Sequence, residues 1–159
     1  MTAKRKPDLG WLMVVLVLVA VAATAWSLLA QRDSSRADPD DRAQVARGQT
    51  LYEQQCASCH GLRLEGQPNW QSRLPSGRMP APPHDASGHT WHHPDELLFG
   101  MTRDGLVPGK YAPPGYESDM PAFGGTLSDD DIWAVLAYIK SRWPNEIRRA
   151  QSERRHAMR

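Results

Sequence analysis

The chain has 159 residues, a formal net charge of +1 and two cysteines. That length holds one domain and an appendage, and a near-neutral balance with no accompanying motif excludes nucleic acid as a partner. Two cysteines make neither a disulfide framework nor a four-cysteine zinc or iron–sulfur site.

Lys4, Arg5 and Lys6 precede an uncharged, mostly apolar run over residues 10–30. About twenty helical residues cross the ~30 Å hydrocarbon core of a bilayer. Trp11 and Trp26 lie near the two ends of the run, where interfacial aromatics belong. The reading is a single transmembrane helix over 10–30, with residues 1–9 in the cytoplasm and the remainder on the periplasmic side of the inner membrane. A cleaved signal peptide competes, with Ala20-Val21-Ala22 and Ala23-Thr24-Ala25 as cleavage triplets. The apolar run is longer than a signal core and continues through Trp26-Ser27-Leu28-Leu29, which favours retention. Either reading exports the rest of the chain. Residues 31–44 are polar, with Pro39 among them, and read as a flexible stalk. Random-coil scaling lets such a stalk sweep a head through roughly 20 Å.

A helix is expected over 45–55, running into Cys56-Ala57-Ser58-Cys59-His60. Cys-x-x-Cys-His is the attachment pattern of c-type haem. Two thiols three residues apart on one turn reach the two vinyl groups on a porphyrin edge, and the adjacent imidazole faces the iron. A redox-active Cys-x-x-Cys asks for a βαβ context, and the sequence offers no convincing strand. A zinc site needs two further ligands, which the downstream histidines supply on paper. Both cysteines of the chain fall inside the five-residue pattern, so one covalent haem c per chain is the expectation.

Next comes a histidine-rich stretch with His84, His89, His92 and His93. Four histidines beside acidic residues suit copper or zinc. A structural role is equally concrete: His93-Pro94-Asp95-Glu96 reads as a helix start with proline in the first turn. Trp70 and Trp91 are expected in a haem pocket or loop core, and Arg73, Arg78 and Tyr111 are candidate propionate partners. Met120, on the Pro/Gly-rich loop 116–125, is the first candidate for a second axial ligand. Met79, Met101 and a histidine of the rich stretch compete for that place. A thioether stabilises ferrous iron, so a Met/His pair raises the potential.

Ser128 and Asp131 make a capping-box pattern, with Asp129 and Asp130 favouring the positive helix start. Ile132, Val135, Leu136 and Ile139 recur at helical spacing, and Pro144 stops the helix. Residues 32–145 carry 15 acidic and 11 basic side chains, whereas residues 146–159 hold five arginines against two glutamates and read as a basic tail.

Over residues 45–144 the chain resembles class I cytochrome c. The pieces are Gly48-x3-Tyr52-x3-Cys56-x2-Cys59-His60, the Met120-Pro121-x-Phe123 loop and the helix carrying Asp-Ile-Trp-Ala-Val-Leu-Ala-Tyr-Ile. The resemblance implies an all-α class I cytochrome c fold around one haem, His60 as proximal and Met120 as distal iron ligand, and one exposed haem edge. It also implies that Gly48 lets the last helix cross the first, with Tyr52 and Tyr138 at the contact. In such proteins a proline carbonyl orients the proximal imidazole. Pro68 is the nearest candidate after His60, though its match is loose. The domain is expected over 45–145.

The functional expectation is a membrane-tethered monohaem electron carrier, not an enzyme. It would pass single electrons from a quinol-oxidising complex or dehydrogenase to a terminal oxidase or reductase. The alternative is the haem subunit of a redox enzyme, or a copper-handling or redox-sensing protein that uses the histidine-rich loop.

Overall fold

The computed structural model describes residues 9–30 and 36–157, and the chain divides into two units, Met1–Ser34 and Ser35–Arg159. The first unit holds α1, Leu9–Ala30. Thr24 Oγ1 donates to the carbonyls of Val21 and Ala20, at 2.9 and 3.0 Å, so the hydroxyl is absorbed into the helix. Among the described residues no helix is long and apolar enough to cross a membrane.

The second unit is helical. It contains α2 (Arg42–Gln55), the single turn α3 (Ala57–His60), a 3₁₀ turn (Thr90–His92), α4 (Asp95–Asp104), α5 (Asp129–Ser141) and α6 (Asn145–Ala157). Among the described residues there is no strand, only isolated bridges at Met79–Ser118 and Pro108–Ala112, as the all-α expectation has it.

α2 begins three residues before the expected start. The Asp41 carboxylate accepts from the backbone N–H groups of Ala43 and Gln44 at 2.9 and 3.1 Å, which satisfies two otherwise orphaned donors. Gln44 then reaches back: its Nε2 donates to the Arg36 carbonyl, and its Oε1 accepts from the Asp38 N–H at 2.8 Å. Ala37 is fully buried. The stalk expected over 31–44 is therefore corrected over its second half, because its polar side chains, though exposed, cap and fasten backbone groups. Residues 31–35 lie outside the described residues.

The centre of the unit is the crossing of α2 with α5. A Cβ at Gly48 would run into the carbonyl of Ala134 and sit 3.0 Å from the Tyr138 Cβ; only hydrogen fits there. One turn on, the rings of Tyr52 and Tyr138 lie 5.3 Å apart. α5 opens with the full capping box: Ser128 Oγ accepts from the Asp131 N–H, and Asp131 accepts from the Ser128 N–H. Every residue from Ile132 to Lys140 is buried, and each large apolar member contributes roughly 1.5–3 kcal/mol by leaving water. α4 closes the second side, with Phe99 stacked on Trp133 at 4.3 Å.

The basic tail is also corrected. Residues Asn145–Ala157 form α6, Ile147 packs on the main core, and Gln151 is 2% exposed. Gln151 Nε2 donates to Asp95 Oδ1 at 2.6 Å and to the His93 carbonyl at 3.2 Å. Asp95 in turn accepts from Lys140 Nζ at 2.7 Å, both side chains less than a tenth exposed. One buried polar network thus ties α4, α5 and α6. Arginine-rich composition signalled the exposed face and concealed Ile147 and Gln151.

Candidate haem-binding site

α2 ends at Cys56, whose N–H donates to the Tyr52 carbonyl at 2.8 Å. α3 then carries Cys59 and His60 on its single turn. The two cysteines form no disulfide with one another; Cys59 is exposed and Cys56 half-buried. Burial, aided by the neighbouring Cys59, pushes the Cys56 thiol up to about 11.

His60 is 7% exposed, and its Nδ1 lies 2.8 Å from the carbonyl oxygen of Pro82. A carbonyl only accepts, so Nδ1 carries the hydrogen and Nε2 keeps its lone pair. Burial lowers the His60 pKa, partly opposed by the bond to Pro82, which favours the neutral, ligating form. A fixed neutral imidazole beside two thiols on one turn matches what covalent haem requires. Among the described residues no group of three His, Cys, Asp or Glu side chains gathers to hold a bare metal ion. The copper or zinc reading of the histidine-rich loop therefore finds no site there.

The Cytochrome c family model matches residues 45–143. The chain belongs to the cytochrome c family. That family carries haem c covalently, and Cys56 and Cys59 have the spacing of its attachment motif; such proteins are electron carriers rather than enzymes. Over 98 residues this cytochrome is 31% identical to the gluconate 2-dehydrogenase cytochrome c subunit of Pantoea cypripedii, covering 62% of the chain but 20% of that relative. Over 103 residues it is 29% identical to cytochrome c-555 of Prosthecochloris aestuarii, covering 60% of the chain and 84% of that relative. No solved structure matches it.

The orienting proline is Pro82, not Pro68. Between His60 and Pro82 the chain makes an excursion that spacing alone does not resolve. Gly66 brings it back with φ +68°, and a Cβ there would meet the backbone of Pro82 and Pro83. Leu64 also sits at φ 68°, a conformation that costs a leucine about 1–2 kcal/mol. Its side chain is 1% exposed, and its carbonyl accepts from the N–H groups of His84 and Asp85. Burial and those two bonds hold it there.

The histidine-rich loop is organised by ring stacking. His84, half-buried, stacks on His60, Trp70 stacks on His89, and Trp91 stacks on His92, while His89 and His92 themselves remain exposed. Both tryptophans are thus half-buried loop residues. The helix after Pro94 begins at Asp95, with the proline at its N-cap.

On the other side, Met120 is half-buried and packs against the small cluster of Phe123, Leu127 and Ile132. The Met79 N–H donates to the Glu117 carbonyl at 3.0 Å, so Met79 runs alongside the segment leading to Met120. Met101 lies on α4, as expected. The candidate propionate partners are all engaged by protein groups. Arg78 Nη1 donates to the Ser118 carbonyl at 3.0 Å and to Asp119 Oδ1 at 2.7 Å. Arg73 Nη1 donates to the Gly77 carbonyl, and Tyr111 donates its hydroxyl to Asp104 at 2.8 Å. Arg78 instead fastens the Met120 loop, a role with no signal in the sequence because its partners lie forty residues on.

Proposed function

We propose that this cytochrome is a membrane-tethered carrier of single electrons, with His60 and Met120 as the axial ligands of one haem. The observation that carries the reading is the His60 Nδ1–Pro82 carbonyl bond, which aims the free Nε2 away from the backbone that holds it. When bound, haem supplies a one-electron ferric/ferrous couple. The chain's own part is to hold the imidazole neutral, bury the proximal side and present a thioether from the 116–125 loop. Met120→His is expected to keep its haem and lower the midpoint potential, since a second imidazole favours ferric iron more than a thioether does. An unchanged potential removes Met120 from the ligand pair and turns attention to Met79.

The tether is supported by the uncharged run over 10–30 behind Lys4, Arg5 and Lys6, with the haem domain on the periplasmic side of the inner membrane. Replacing residues 1–34 with a cleavable export signal is expected to move the haem protein from the membrane pellet to the periplasmic fraction. If the full chain already fractionates as a soluble protein, the tether is wrong and the cleaved-leader reading replaces it. The redox partners in this reading are a quinol-oxidising complex or dehydrogenase as donor and a terminal oxidase or reductase as acceptor. Its likeness to a dehydrogenase cytochrome c subunit favours a second reading, a haem subunit held in a larger complex. A stoichiometric partner retained through purification in mild detergent would select it.

A further inference from the structure

His60 is held from two directions by one short segment. The Pro82 carbonyl meets Nδ1 in the plane of the imidazole at 2.8 Å. Two residues on, the ring of His84 lies flat against the face of His60, with centroids 3.9 Å apart and planes 22° from parallel. The His84 ring is itself fixed on several sides. Its Nδ1 is 2.9 Å from Thr90 Oγ1, and the Tyr52 ring meets it edge-on at 6.3 Å. Its backbone is fastened at both ends: its N–H donates to the Leu64 carbonyl at 2.8 Å, and its carbonyl accepts from Trp143 Nε1 at 2.7 Å.

A hydrogen bond along one edge of an imidazole leaves the ring free to rock about the line through Nδ1 and the carbonyl. A second ring stacked on its face removes that freedom. Groups around a ligating histidine set its orientation and tune the metal, and here the second group is aromatic, half-buried and held by its own hydrogen bonds.

We propose that His84 is a positioning residue that fixes the plane of the His60 imidazole over the haem. The inference rests on His60 being the proximal ligand. His84 touches neither haem nor redox partner in this role; it acts through His60. What it sets is the angle between the imidazole plane and the porphyrin nitrogens, and with it the splitting of the iron orbitals that exchange the electron.

The test uses the full chain, loaded with haem in a host able to attach it. His84→Leu keeps an apolar group and removes the flat face, whereas His84→Phe keeps a stacking ring and loses the bond to Thr90. The readouts are the g-value anisotropy of the low-spin ferric signal, the spread of the haem methyl shifts in proton magnetic resonance, and the midpoint potential. His84→Leu is expected to change the anisotropy, redistribute the methyl shifts and move the potential. His84→Phe is expected to return all three toward wild type. A merely structural role would lower the thermal midpoint of both variants and leave the three readouts in place, and that result overturns the proposal. If wild type itself lacks a low-spin signal from histidine-ligated iron, the failure lies with His60 as ligand and not with His84. Should His84→Leu not assemble, His84→Gln removes the ring face while keeping a polar group toward Thr90; unchanged readouts there also overturn the proposal.

Discussion

The two sides of the site are built differently. On the His60 side the supports are inside: Leu64 and Tyr52 are fully buried, His60 and Thr90 less than a tenth exposed, and rings contact rings. On the Met120 side the loop is held from outside. Arg78 and Asp119 remain 43% and 71% exposed while they pair, and Met120 rests on a cluster of three buried residues. A packed interior resists change because each atom has neighbours, whereas exposed ion pairs contribute little. In the proposed ligand pair the imidazole is therefore the permanent partner and the thioether the one that can leave.

The largest test strikes the buried network behind the His60 side. Lys140→Met leaves the Asp95 carboxylate buried with Gln151 as its polar partner, and breaking such a pair costs about 3–5 kcal/mol. Denaturant unfolding should show that loss, and the double change Lys140→Met with Asp95→Leu should recover most of it.

Two glycines sharpen the contrast further. Gly66 and Gly115 both have positive φ, +68° and +74°, but a Cβ at Gly66 meets Pro82 and Pro83 while one at Gly115 meets nothing within 4 Å. Gly66→Ala adds overpacking to backbone strain and should cost about 3 kcal/mol. Gly115→Ala should cost only the strain, about 1–2 kcal/mol. Equal losses would erase the distinction between a packed and an open side.

Arg78→Gln should change global stability by less than about 1 kcal/mol, as expected for an exposed pair. It should nevertheless loosen the thioether. The weak red charge-transfer band of methionine-ligated ferric haem should vanish at a lower pH than in wild type when the protein is titrated with alkali. An unshifted titration would mean that the Met120 loop does not depend on this latch.

The smallest effect is a slope with pH. Burial, then neighbouring histidines, lower the pKa values of His89 and His93. The unfolded chain, near 6.5, therefore binds these protons more readily than the folded one. Stability from their neutral forms is present above about pH 6.5 and is lost as pH falls below it. The double change His89→Gln with His93→Gln should flatten that acid slope in thermal unfolding, while the 106–123 segment, which has no histidine, adds nothing to it.

Much of this was legible in the residues themselves. The Cys56–Cys59–His60 run named a haem attachment, the Ser128–Asp131 box and its apolar spacing placed α5, and the resemblance to class I cytochrome c implied the helix crossing at Gly48, Tyr52 and Tyr138. These signals are local, or they are steric demands that a single residue type answers. Other features were hidden for the opposite reason. Asp41 reads as one more acidic residue until α2 needs a cap, and Gln151 reads as part of a charged tail until it meets Asp95.

By itself the sequence determined which atoms can attach the porphyrin and that α2 and α5 must exist, because thiol spacing and apolar period are properties of neighbours along the chain. Tertiary structure alone decided that Pro82 and not Pro68 meets His60, that His84 lies on its face, and that Arg78 holds the approach to Met120. Those pairs are separated by 22 to 41 residues and join through loops of irregular backbone. No periodicity records how such a loop returns; only the packing of what it encloses fixes that.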